Sequence, residues 1–76
     1  MPKLPAANYK QVSRVAKKLG FYCARTAKGS HEIWRRDFDG RQTTIPNHGS
    51  EPLKRKTFTS ILVDMDITAE DFMKMK

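Results

Sequence analysis

The chain has 76 residues, with 15 Lys or Arg against 8 Asp or Glu, and therefore a net charge of +7. A chain of this length forms one domain, residues 1–76, that buries only about 60% of its unfolded surface. The longest apolar run, Phe21–Ala24, is too short to span a membrane, and no signal-peptide pattern precedes it. We therefore expect a cytoplasmic protein whose residues 1–7 form a flexible N-terminal segment.

The positive charge is concentrated in the first half of the chain. Residues 1–36 contain nine Lys or Arg and one acidic residue, whereas residues 37–76 contain six Lys or Arg and seven acidic residues. This distribution favours polyanion binding through the first half, driven by counterion release. The alternative is a charge that only keeps the protein soluble. The lone Cys23 excludes an intrachain disulfide and a zinc cluster, so we predict no metal and no cofactor and assign Cys23 to the core or its margin.

The first predicted element is an amphipathic helix. Asn8 is a good N-cap, and Gln11 three residues later completes a capping box. Gly20 ends the helix, because glycine adopts the left-handed conformation at low cost. The apolar residues follow helical spacing: Val12, Val15, Ala16 and Leu19.

Three strands should follow, covering residues 21–26, 30–36 and 41–45. Short turns containing Gly29 and Gly40 separate them, and the Asp39-Gly40 pair is a strong hairpin signal. The pattern predicts a three-stranded antiparallel meander.

A second helix is expected to begin after Thr57, and a short C-terminal helix after Thr68, where Asp71 occupies the third helical position. Phe72 would dock the short helix. The order α-β-β-β-α predicts an α+β fold with helices packed on one face of the sheet. The second helix has its own apolar stripe: Phe58, Ile61, Leu62 and Met65.

The segment Lys28-Gly29-Ser30-His31 is the main candidate for chemistry. Strand alternation groups His31 with Ile33, on a face that Ile33 suggests is partly buried, so His31 should lie at its rim. An accessible imidazole exchanges protons near neutral pH and can serve as a general base. Lys28 and Ser30 would support it. The alternative is a structural histidine bonded to the backbone.

His48 and the run Lys54–Lys56 are the candidates that follow the strands. Two histidines could divide the roles of acid and base in RNA cleavage, although His48 could equally be an ordinary loop residue. Cations just before a helix N-terminus are unfavourable, and a bound phosphate would relieve that repulsion. A solvated loop is the alternative for Lys54–Lys56.

The predicted RNA-binding residues are mostly basic. Tyr22, Trp34 and Phe38 could stack on unpaired bases, although at least one of these rings should belong to the core. The complete set of predicted RNA contacts is Lys10, Arg14, Lys17, Lys18, Arg25, Gly29, Arg35, Arg36, Lys54, Arg55 and Lys56.

The sequence resembles the HicA family of bacterial toxins over residues 8–73. Those toxins are small mRNA interferases with a fold like that of the double-stranded-RNA-binding domain. The chain differs at Lys56, where the family often has glycine. The matching segments are Leu19-Gly20-Phe21, Gly29-Ser30-His31, Ile45-Pro46-Asn47-His48, the helix start at residues 57–62, and residues 67–72.

This resemblance implies the toxin of a type II toxin–antitoxin system, an endoribonuclease that cleaves mRNA and is inhibited by a HicB-type antitoxin. The histidine of the family's GSH motif falls on His31, which is then the expected catalytic residue. Two other functions stay open: a non-catalytic double-stranded-RNA-binding domain, and a DNA-binding regulator acting through its first helix.

Overall fold

The computed structural model describes residues 5–76, and within them the strands form one antiparallel sheet in the order β1-β2-β3. The helices lie before and after the sheet, so the predicted α+β fold of the double-stranded-RNA-binding-domain type is confirmed. The elements are α1 (Tyr9–Lys18), β1 (Tyr22–Thr26), β2 (His31–Arg36), β3 (Arg41–Pro46), α2 (Arg55–Met65) and α3 (Ala69–Met75).

A capping box begins α1, as predicted, and a second one begins α3 at the predicted cap, Thr68. The Asn8 side chain accepts a hydrogen bond from the Gln11 amide (3.0 Å), and the Asn8 amide donates to the Gln11 side chain (3.3 Å). Thr68 and Asp71 make the same reciprocal pair at α3, at 3.0 and 3.2 Å. Each box satisfies two backbone N–H groups that the helix itself leaves without a partner.

The predicted cap of α2 at Thr57 is wrong. The helix begins at Arg55, with Lys54 as an extended N-cap residue that makes no side-chain cap. The Lys54 carbonyl instead accepts the first helical hydrogen bond, from the Phe58 amide at 2.9 Å. Burial of the apolar stripe stabilises this extra turn without a capping side chain. As a result, Arg55 and Lys56 belong to the first turn of the helix rather than to the preceding loop.

The helices cover one face of the sheet and enclose an apolar core. Phe58 of α2 and Phe72 of α3 pack edge to face, with ring centroids 4.9 Å apart and an interplanar angle of 73°. This contact fastens the short α3 to the rest of the core. Both predicted apolar stripes are buried except Leu19, which is half-buried. The buried apolar residues are Ala7, Val12, Val15, Ala16, Phe21, Trp34, Ile45, Phe58, Ile61, Leu62, Met65 and Phe72.

The buried face of β2 is the opposite of the one predicted. Trp34 is only 2% exposed and Arg36 9%, whereas His31 is exposed and Ile33 half-buried. The alternation pattern of β2 indicates the wrong face because the two core-facing residues on either side of Trp34, Glu32 and Arg36, are charged. These charges are tolerated because both are hydrogen-bonded within the fold. His31 therefore lies on the outer face of the sheet, away from the core.

Residues 5–7 lead directly into the fold. Ala7 is 4% exposed, and its carbonyl accepts a hydrogen bond of 2.7 Å from the Leu53 amide. Of residues 1–7, which the sequence predicts to be flexible, residues 1–4 lie outside the described residues. None of the helices in residues 5–76 is long and apolar enough to cross a membrane.

Candidate functional site: a groove between the outer sheet face and helix α2

His31 begins β2, immediately after a tight turn. The Ala27 amide donates to the His31 carbonyl (2.7 Å), and the His31 amide lies 3.4 Å from the Lys28 carbonyl. Gly29 has a φ of 68°, a left-handed value that side chains other than glycine rarely adopt. The turn thus fixes the backbone of His31 and leaves its side chain exposed on the outer face.

The His31 side chain lines a groove of about 410 Å³ that is open to solvent. One wall is the outer face of the sheet along β3, and the other is α2. Two buried residues of the lining, Pro46 and Ile61, supply apolar surface. Of the predicted site residues, the structure thus brings His31 and Lys56 into one groove. The remaining lining residues are Thr44, Thr57, Ser60 and Asp64.

Sequence reasoning missed Thr57, Ser60 and Asp64 as site residues. Their spacing is a usable signal, because residues three and four apart share one face of a helix. Within α2 they form a polar stripe beside the apolar one. Their hydroxyl and carboxylate groups give the groove hydrogen-bonding capacity next to the imidazole.

The charges in the groove have opposite signs. Lys56 lies in the first turn of α2, where the helix dipole is positive and no acidic residue compensates it. Asp64 lies two turns further on, about 12 Å along the axis, and accepts a hydrogen bond of 2.9 Å from Thr43. The end of the groove at Lys56 is therefore the end that suits an anion. No group of three or more His, Cys, Asp or Glu in residues 5–76 is placed to hold a metal ion.

Glu32 connects the strand of His31 to two other elements. Its Oε1 accepts hydrogen bonds from Tyr9 Oη (2.7 Å) and Trp34 Nε1 (3.0 Å), and its Oε2 lies 3.4 Å from Asn47 Nδ2. Burial, followed by the bond to Glu32, raises the pKa of Tyr9 to about 12. The backbone amide of Asn47 in turn donates a hydrogen bond to the Ser30 carbonyl at 2.8 Å. The network holds the residue before His31 against the loop after β3.

The other predicted supporting residues lie at the edges of this arrangement. Lys28 is exposed in the turn, and Ser30 is half-buried beside His31. His48 is exposed in the loop after β3 and is not part of the groove lining. Its carbonyl accepts a hydrogen bond from the Glu51 amide (3.2 Å), which shapes that loop. His31 therefore lines the groove, whereas His48 lies on the loop after β3.

The predicted RNA-binding cations occupy three surfaces. Lys10, Arg14 and Lys17 are exposed along α1, and Lys18 donates to the Met75 carbonyl at 2.6 Å. Arg25 and Arg35 lie on the outer sheet face, and Gly29 lies in the exposed turn beside it. Lys54, Arg55 and Lys56 surround the start of α2.

Arg36 differs from these cations because its guanidinium is used within the fold. It donates to Asp39 through Nε (3.1 Å) and Nη2 (2.8 Å), and to the Leu19 carbonyl through Nη1 (2.9 Å). Its central carbon also lies 4.6 and 4.5 Å from the ring centroids of Phe21 and Phe38. Arg36 therefore joins the end of α1 to the β2–β3 turn and is not available to a ligand.

The aromatic residues and the cysteine divide between core and surface. Trp34 belongs to the core, whereas Tyr22 (44% exposed) and Phe38 (80% exposed) lie on the surface. The prediction that Cys23 lies in or near the core is wrong, because its side chain is exposed on β1. All five β1 residues are exposed, since the helices do not extend over this edge of the sheet.

Comparison with known proteins identifies one family. A search of curated proteins found no match. The family model for the HicA toxin of bacterial toxin–antitoxin systems matches residues 9–67, which run from the start of α1 to just beyond α2. The matched segment contains every residue that lines the groove. The chain therefore belongs to the HicA toxin family, and this membership implies an antitoxin partner.

Proposed function

We propose that the protein is an mRNA-cleaving toxin in which His31 is the general base of an RNA transesterification. The observation that carries this proposal is the placement of an exposed imidazole and Lys56 in one open groove, within a chain of the HicA family. RNA carries its own nucleophile, the 2′-OH next to each phosphate, so cleavage needs a base, charge stabilisation and alignment.

In the proposed reaction His31 takes the proton of a 2′-OH. The freed oxygen attacks the adjacent phosphorus, and the bond between phosphorus and the 5′-oxygen breaks. Because the groove is open, the 5′-oxygen leaves with a proton from water. The products are a 2′,3′-cyclic phosphate and a 5′-hydroxyl. His48, outside the groove lining, is not needed in this scheme.

Negative charge builds up on the phosphoryl oxygens as the 2′-oxygen attacks. Lys56 and the first N–H groups of α2 provide positive charge there, without a competing acidic residue in that turn. Lys28, Ser30 and the backbone at Gly29 belong to the turn that precedes His31 and would add hydrogen-bond donors from that side. Anion binding at the start of α2 also offsets the repulsion among Lys54, Arg55 and Lys56.

We further propose that a HicB-type antitoxin inhibits the protein by covering this groove. The net charge of +7 favours an acidic partner that competes with RNA for the same surface. Antitoxin binding would then protect His31 from solvent, and added RNA would slow the association.

The test compares the wild type with His31→Ala and His48→Ala on single-stranded RNA in the presence of EDTA. We expect His31→Ala to abolish cleavage and growth arrest while keeping the wild-type circular dichroism spectrum, because the side chain is exposed. His48→Ala should retain most of the activity. Cleavage by a folded His31→Ala protein would refute the proposed role.

A second candidate function is a non-catalytic binder of double-stranded RNA. The order of elements and the basic start of α2 favour it. The same experiment separates the two functions, because a binder leaves the RNA intact and does not arrest growth when it is expressed alone.

A further inference from the structure

The outer face of the sheet carries an unusual pairing of residues. In the ladder, Tyr22 is opposite Arg35 and Arg25 is opposite Ile33, with a register shift between Cys23 and Arg25. Paired residues share a face, so the bulge places Tyr22 and Arg25 on the same side although they are three apart. Without it, regular alternation would place one of them on the opposite face of the sheet.

This face is positively charged. The outer face also carries His31 on β2 and Gln42 and Thr44 on β3. Within residues 5–76, no strand residue on this face is acidic. Arg25 makes no ion pair within residues 5–76. The helices pack on the opposite face, and only α2 borders this one, along β3.

Tyr22 and Arg35 are held side by side by Asp37, which follows β2. Tyr22 Oη donates a hydrogen bond of 2.8 Å to Asp37 Oδ1, and Arg35 Nε lies 3.6 Å from the same oxygen. The bond to Asp37 is the main reason the pKa of Tyr22 is raised. Asp37 offsets part of the Arg35 charge, but it also fixes an exposed ring next to a guanidinium. A ring held in place loses little conformational entropy when a base stacks on it.

We propose that this outer face binds the single-stranded RNA next to the cleavage site, with a base stacked on Tyr22 and phosphates held by Arg25 and Arg35. The proposal rests on the proposed function, because it extends the substrate away from His31. His31 and Arg35 alternate along β2 on the same face, so their Cα atoms are about 13 Å apart. A strand of RNA bound at Tyr22 can therefore continue across the sheet to the groove.

The occupant is single-stranded because stacking on Tyr22 requires an unpaired base. Duplex RNA hides its bases and is contacted mainly through phosphates and 2′-hydroxyl groups. A strand lying on this face would gain from both the ring and the two arginines.

The test uses His31→Ala as the parent, so that the RNA stays intact during the measurement. Binding of a short fluorescein-labelled single-stranded RNA of mixed sequence is followed by anisotropy between about 50 and 200 mM salt. We expect Tyr22→Ala to weaken binding roughly 5- to 100-fold. Arg25→Gln should lower the salt slope by about 0.7. Tyr22→Phe keeps the ring but loses the bond to Asp37, so it should bind more tightly than Tyr22→Ala and slightly more weakly than the parent. Lys74→Gln is the charge-matched control on α3, where Lys74 is 3.9 Å from Glu70.

Two results would overturn the inference. The first is an unchanged RNA affinity in both folded variants, Tyr22→Ala and Arg25→Gln. That result would refute the inference even if the two variants lost antitoxin binding, because the face would then bind the antitoxin and not the RNA. The second is equal dependence on Tyr22 when a duplex of the same sequence is the probe. Failure of the proposed function is seen separately, as absence of cleavage by the protein with His31 intact, because the binding measurement does not need cleavage.

Discussion

His31, at the first position of β2, and Lys56, in the first turn of α2, line the same groove although β3 lies between their elements. Lys56 lines this groove because α2 already begins at Arg55, so that the helix fixes the backbone position of Lys56. An imidazole and an ammonium group in one groove are two of the groups that the proposed phosphodiester cleavage would use.

If the proposed function is correct, replacing Lys56 by Ala should lower the rate of RNA cleavage about 100-fold, because the charge proposed to stabilise the transition state is lost. Lys74→Ala removes the same charge from α3, distant in sequence from the groove residues, and should leave the rate nearly unchanged. Single-turnover cleavage of a labelled RNA at saturating protein measures both. Equal losses in the two variants would show that only overall charge matters.

Stability at high pH should depend on Tyr9. Its pKa in the folded protein is about 12, against about 10 in the unfolded chain, so its contribution is complete below pH 10. That contribution is lost as the pH rises through 12, because the folded state then has to release the phenolic proton. Allowing for the partial exposure of the group, the loss is about 1 to 2 kcal/mol.

Urea unfolding of the wild type and Tyr9→Phe at a series of pH values from 8 upward measures this effect. The Phe variant lacks the proton and the bond to Glu32, so it should be less stable at pH 8 and show a flatter decline. A wild-type curve parallel to that of Tyr9→Phe would contradict the assignment.

Arg36→Leu should destabilise the fold by about 2 kcal/mol or more, because Asp39 and the Leu19 carbonyl lose their partner. The guanidinium also holds the pKa of Asp39 below its usual value. Arg36→Lys keeps the charge but cannot form the two-pronged contact, so it should recover only part of the stability. In thermal unfolding we expect the melting temperature to fall in the order wild type, Arg36→Lys, Arg36→Leu. Any other order would refute the structural role of Arg36.

Phe72→Ala should cost about 3 to 5 kcal/mol by leaving a cavity against Phe58. A domain of this size has little stability to spare, so the variant is expected to be largely unfolded at 37 °C. The neighbouring Met73, 46% exposed, provides the matched control, and Met73→Ala should change stability by less than about 0.5 kcal/mol. Circular dichroism melts distinguish the two.

The local parts of this fold could be read from the sequence. The capping boxes at Asn8 and Thr68 involve residues three apart, and the apolar stripes repeat within one helix, so neither depends on distant contacts. The sequence places the start of α2 too late, because the Lys54 carbonyl accepts the first helical hydrogen bond and no Thr57 cap is needed.

The groove depends on tertiary placement, which local patterns do not contain. The sequence singles out His31, which lines the groove, but the pattern assigns the wrong face of β2 to the core, since charged neighbours on either side of Trp34 hide the core position. Ser60 and Asp64 become site residues only when α2 lies beside β3. The pattern wrongly assigns Cys23 to the core, because the sequence of β1 does not show how far the helices extend over that strand.

The bulge at Ala24 has a consequence for how this protein can diversify. Because every β1 residue is exposed, deletion of Ala24 would exchange the faces of Tyr22 and Arg25 relative to each other with little disturbance of buried packing. A one-residue change in chain length could thus rewrite the surface while the interior stays the same. If the outer face binds RNA as proposed, a change of length in β1 would alter which side chains meet the RNA at little cost in stability.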